Sequence, residues 1–142
     1  MASIAPPGDF PDIATFEDDA SLQRAVQRLS SDRFVLVIFT SEHCHVCRTL
    51  EKHLPWFGEY YRDEVSVILA NPHRHAALAA RHRIHGVPSL LVVRKGRILA
   101  SEVGMDSRDH LKWLLKMAKK HYHAYEKEFQ SAHHARWSTQ AE

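Results

Sequence analysis

The apolar, β-branched stretch Phe34-Val-Leu-Val-Ile-Phe39 predicts a strand covered on both faces. Before it, Leu22, Ala25, Val26 and Leu29 recur at i, i+3, i+4 and i+7, which is one face of an amphipathic helix, and Asp18 or Asp19 supplies the N-cap oxygen. After it, Leu50, Leu54, Phe57 and Tyr61 repeat at helical spacing. Pro55 lies inside that pattern and is expected to kink the helix, with Gly58 loosening the same stretch. Glu64 to Ala70 reads as a second strand, stopped by Asn71-Pro72, and a helix rich in alanine and histidine is expected over 73–83. Ser89-Leu-Leu-Val-Val-Arg94 and Arg97-Ile-Leu-Ala-Ser-Glu-Val103 flank Lys95-Gly96, the pattern of a hairpin.

Gly104 then breaks the chain, and Asp106 or Ser107 caps a last helix. Along it Leu111, Leu115, Ala118, Tyr122, Tyr125, Phe129 and Ala132 step by alternating four and three, a heptad seam. A helix over 107–134 would run about 42 Å at 1.5 Å per residue. Such a rod outreaches its own domain, so its aromatic half needs a second subunit, a fold-back or a partner, and a homodimer through this helix is the expectation. Three prolines and one glycine make residues 1–14 an irregular arm. The resulting division is an N-terminal arm over 1–15, one α/β domain over 16–117 and a C-terminal helical extension over 118–142.

Length and charge exclude several classes. A chain of 142 residues is one domain's worth and can bury a real core. Its formal net charge of +2 makes no case for nucleic acid. No apolar run approaches the ~18 residues of a membrane span. The first ten residues show neither a basic n-region nor an apolar h-region, so a cytoplasmic protein is expected. In that setting two cysteines point to catalysis or metal binding rather than to a structural staple.

The two cysteines stand as Cys44-His45-Val46-Cys47, where the first strand hands over to a helix N-terminus. Backbone N–H groups point outward there and the helix dipole favours negative charge, so a thiolate at Cys44 is stabilised. A second thiol three residues on can resolve a mixed disulfide. That is redox chemistry, and it calls for no cofactor.

The order β-α-β-α-β-β-α behind an extra N-terminal helix, with this motif after a central strand, resembles the thioredoxin family. Ile84-His-Gly-Val-Pro88-Ser89 strengthens the likeness, because it matches the family loop in which a cis proline opens the strand facing the dithiol. The resemblance implies a thioredoxin fold: a central mixed sheet flanked by helices, here with an extended C-terminal helix. It also implies a thiol-disulfide oxidoreductase with Cys44 as nucleophile, Cys47 resolving, and Val87 and Pro88 presenting the substrate strand. The partners implied are protein thiols or disulfides and a reductase or other dithiol donor.

Two departures from the family pattern stand out, and the histidines add a further question. Typical thioredoxins read Trp-Cys-Gly-Pro-Cys, whereas this chain reads His43-Cys44-His45-Val46-Cys47. Histidines on both sides add positive charge beside the thiolate whenever protonated, which favours a more oxidising disulfide, and disulfide isomerases similarly carry a histidine between their cysteines. The family's buried Asp and Lys, which handle the proton of the second cysteine, fall at Ile38 and near Leu69, neither of which ionises. Finally, His85 is expected near the dithiol rim. Cys44 and Cys47 with His43, His45 or His85 could hold Zn²⁺ or Cu⁺, although no second CxxC and no HxxxH pair helps define a closed site. A metal-handling thiol protein and a binding or assembly module are therefore the alternatives to the oxidoreductase.

Overall fold

The computed structural model describes residues 13–124, 126 and 135–138. In chain order the elements are β1 (Ile13–Thr15), α1 (Asp19–Leu29), β2 (Phe34–Phe39), α2 (His45–Glu51), α3 (Leu54–Tyr60), β3 (Val65–Ala70), α4 (Ala76–Arg81), β4 (Ser89–Arg94), β5 (Arg97–Val103) and α5 (Arg108–Ala124). The strands form one mixed sheet in the order β1-β3-β2-β4-β5. β1 and β2 run parallel to β3, while β4 is antiparallel to both β2 and β5. β2 lies at the centre with all six residues buried, which is why it shows no alternation of polar and apolar positions.

Alternate β2 residues feed two cores. Phe34, Leu36 and Ile38 face α3 and α5 through Leu54, Phe57, Leu111 and Leu115. Val35, Val37 and Phe39 share the opposite core with Leu22 and Val26 of α1 and Leu78 of α4. α1 starts where its sequence signal lies: Asp18 Oδ1 accepts the Ser21 N–H at 2.9 Å. α4 depends on a longer reach, since the Asp19 carboxylate accepts the Leu78 N–H at 3.1 Å.

Several expectations need correction. The arm ends in a real strand, β1, which pairs Ile13 with Val67; three residues are too few to show a period. The kinked helix is two helices, because Pro55 has no N–H to continue the ladder and is tolerated in the first turn of α3. α4 is shorter than 73–83. Asn71 Oδ1 accepts the His73 N–H at 2.7 Å and the Arg74 N–H at 3.2 Å, so those residues form a turn before the helix.

The C-terminal seam behaves differently from a projecting rod. Ser107 caps α5, its Oγ accepting the His110 N–H at 3.2 Å. Leu111, Leu115, Ala118 and Tyr122 are all buried against the chain's own sheet, and Tyr122 meets Phe34 edge-on with centroids 5.7 Å apart. Tyr125, Phe129 and Ala132 lie outside the described residues. Residues 135–138 are back at the sheet edge beyond β5, where Arg136 bridges Arg97 and Trp137 is wholly buried in the second core. Fold-back is thus the observed arrangement for both described parts of the seam and tail.

Candidate active site

β2 delivers the chain to the site. Beyond Phe39, the Thr40 N–H donates to the Ala70 carbonyl at 2.9 Å, extending the ladder by one residue before the turn. Arg48 fastens that turn from the helix side. Its guanidinium donates to the carbonyls of Ser41 (2.6 Å) and Glu42 and pairs with Glu51 at 3.1 Å. The hydrogen bond to Glu51 raises the Arg48 pKa above its ordinary value, so the group stays charged.

Cys44 is the N-cap of α2. Its backbone is extended (φ −104°, ψ 108°), and its Sγ accepts the Cys47 N–H at 3.0 Å, the role a serine or aspartate oxygen fills at most helix starts. Cys44 is half-buried and Cys47 wholly buried, a difference that follows from their places on the first turn. The two are joined as a disulfide, with Cα atoms 5.2 Å apart. Across from them the Val87 carbonyl oxygen lies 3.7 Å from Cys44 Sγ, where a reduced thiol could donate to it.

The Val87–Pro88 peptide is cis, and the loop is tied at its strand end. Gly104 N–H donates to the Pro88 carbonyl at 2.8 Å, and Ser89 Oγ donates to the Gly86 carbonyl at 2.5 Å. The structure therefore brings Cys44, Cys47 and the Val87–Pro88 loop together. His43, His45 and His85 are all exposed, and among the described residues none hydrogen-bonds to either sulfur. His43 instead lines an open cleft with Ser41, Glu42, Asn71, His73 and Arg74. Among the described residues no three or more His, Cys, Asp or Glu side chains gather as metal ligands.

The sequence profile that matches this chain is that of thioredoxin, over residues 13–117, which takes in the dithiol, the cis-proline loop and every strand. The chain belongs to the thioredoxin family. Its relatives include the thioredoxin of Alicyclobacillus acidocaldarius, 29% identical over 93 residues (66% of this chain and 86% of that one). The thioredoxin of Buchnera aphidicola subsp. Schizaphis graminum is 32% identical over 84 residues, 59% of this chain and 78% of that protein. The crystal structure of thioredoxin from Trypanosoma brucei brucei superposes with a TM-score of 0.68 at 17% identity, covering 82% of this chain and 99% of that one, a likeness of fold. With the Cys44–Cys47 disulfide in place, this thioredoxin-family protein is a thiol-disulfide oxidoreductase, and the family acts on protein thiols and disulfides.

In this family member β2 is apolar to its end, where it hands over to the dithiol turn. Ile38 is wholly buried, registered between Leu69 of β3 and Leu90 of β4. Among the described residues no Asp, Glu or Lys side chain is buried. Three supporting residues escape sequence reasoning. Arg48 looks like an ordinary surface cation until its carbonyl partners are seen. His75 is buried, with Nδ1 accepting the Asn71 N–H at 3.1 Å and Nε2 2.9 Å from the Phe16 carbonyl, so it locks the turn after β3. Trp137 carries no periodic signal at all.

Proposed function

We propose that Cys44 is the attacking sulfur and Cys47 the resolving one. The reduced Cys44 thiolate attacks a substrate disulfide, forming a mixed disulfide and releasing one substrate thiolate. Cys47 then attacks the Cys44 sulfur, expels the second substrate thiolate and closes the Cys44–Cys47 disulfide. A reductase or another dithiol donor returns the two electrons. The observation that carries this reading is the contrast at one helix start: a half-buried Cys44 whose sulfur takes the Cys47 N–H at 3.0 Å, against a wholly buried Cys47. An N–H aimed at sulfur favours the thiolate over the thiol. Val87 and Pro88 present the substrate strand beside that sulfur, a reading supported by the Val87 carbonyl at 3.7 Å. In fully reduced protein, iodoacetamide at neutral pH should modify Cys44 first by peptide mapping, and equal rates at both sulfurs would sink the assignment.

His45, the exposed first residue of α2, sets the poise. Without Gly-Pro and with His45 in the linker, the potential should lie above the roughly −270 mV of thioredoxin, toward the isomerase value near −180 mV. The paired change His45→Gly and Val46→Pro should make it more reducing. Equilibration with glutathione measures both, and a wild-type value at or below about −270 mV contradicts the role given to His45.

Among the described residues no helix is long and apolar enough to cross a membrane. The proposed setting is the cytoplasm, where thiols are kept reduced and a CxxC pair turns over rather than staples. The inward face of α5 is occupied by the chain's own sheet. A homodimer through this helix would have to use its outer face, where Trp113 is 46% exposed.

A further inference from the structure

Residues 135–138 take no part in the chemistry above, yet they are held from three sides. Ile98 N–H donates to the Ala135 carbonyl and Trp137 N–H to the Gly96 carbonyl, each at 2.7 Å, so the segment continues the sheet past β5. From α1, Gln23 Nε2 donates to the Ser138 carbonyl at 2.8 Å, and the Gln23 carbonyl accepts the Trp137 indole N–H at 3.4 Å. From α4, the His82 imidazole lies flat on the indole, with centroids 4.6 Å apart and planes 9° from parallel. Ser138 N–H donates to His82 Nε2 at 3.4 Å.

His82 is the C-cap of α4 and opens the loop that ends at Pro88. The next residue, Arg83, is left-handed (φ 56°), and Ile84 N–H reaches back to the Ala79 carbonyl at 2.8 Å. The strand end of the loop is tied through Pro88 and Ser89, as described above. Its helix end is set by His82, and His82 is gripped by the C-terminal segment.

We propose that Trp137 and His82 are positioning residues: their stack clasps the helix end of the Val87–Pro88 loop in its substrate-ready place, and protonation of His82 releases it. The proposal rests on the reading that this loop presents the substrate strand. Because His82 Nε2 accepts a hydrogen bond, the clasped imidazole is neutral, with its proton on Nδ1. Protonation would set one N–H against another. Burial first, and then the neighbouring Arg81, lowers the His82 pKa below its ordinary value of 6.5. Arg83 adds a second cation on the same turn, and Glu102 of β5 lines the same cavity as His82. Arg136 is the charged residue of the clasping segment itself. A base whose clasped pKa is depressed keeps the clasp at full strength above its released pKa, about 6.5, and weakens it as pH falls below that.

The test uses full-length protein and the ratio of KM for a disulfide-bonded peptide to KM for an aryl disulfide, in which titration of the attacking thiolate cancels. Trp137→Ala should raise peptide KM about fivefold while kcat stays within about twofold, and Trp137→Phe should restore it. In the wild type the ratio should rise about threefold between roughly pH 7.5 and 5.5, and in His82→Gln it should be flat. A wild-type KM in folded Trp137→Ala, or a pH profile that His82→Gln leaves unchanged, overturns the clasp while the loop reading stands. If the wild type shows no KM advantage for the peptide over the aryl disulfide, the loop does not present substrate and both fall. Should Trp137→Ala fail to fold, Trp137→Phe and the pH series of His82→Gln decide the matter.

Discussion

Ile38→Asp should accelerate release of the mixed disulfide at least about tenfold and cost the fold about 3–5 kcal/mol. Ile38 is wholly buried near the end of β2, between Leu69 and Leu90 and in one core with Leu50 and Leu54, and it stands where the family pattern has its buried Asp. Apolar surroundings disfavour the charged form of any acid, and the proposed resolving step needs a thiolate at the wholly buried position 47. A carboxyl introduced at position 38 would be desolvated in its turn and would hold a raised pKa, the condition under which it works as a base near neutral pH. The same desolvation, with the lost isoleucine packing, is the source of the instability. Single-turnover exchange reads the rate and urea unfolding reads the cost. A folded variant with no acceleration would mean that another group already manages the Cys47 proton.

Trp137→Ala should destabilise the protein by about 3–5 kcal/mol, the range for removing a large aromatic from a core that relaxes only in part. The indole is 0% exposed and fills the second core beside residues of α1 and α4. Its loss would also remove the donor to the Gln23 carbonyl and the ring stacked on His82. Urea midpoints at constant m-value measure the effect. A loss below about 1 kcal/mol would mean that the segment contributes little to the fold.

How much of this was legible in the sequence depended on whether a signal was local. β2 and the β4–β5 hairpin were, because buried parallel strands and Lys95-Gly96 turns leave continuous apolar runs and a glycine where the backbone needs one; Gly96 has φ 73°. The Cys44–Cys47 pair was legible for the same reason. The Val87–Pro88 loop was recognised only through resemblance to the family. β1 leaves no local signal, because Ile13–Thr15 is defined by its partner β3 and not by its own pattern. The α5 seam is apolar by its period, but periodicity says that a face is buried and not against what; Tyr122 packs on Phe34 of its own chain. His75 and Trp137 were opaque because each is fixed by residues far away in sequence, Phe16 for the one and Gln23 and His82 for the other.

The central claim is that Cys44 attacks and Cys47 resolves. Full-length Cys47→Ser, reduced and mixed with a protein disulfide such as insulin, removes resolution and leaves attack intact. Mass spectrometry of the non-reduced product should find a one-to-one mixed disulfide whose bond is at Cys44, and Cys44→Ser treated alike should give none. A bond-forming Cys44→Ser beside an inert Cys47→Ser would reverse the roles and contradict the account.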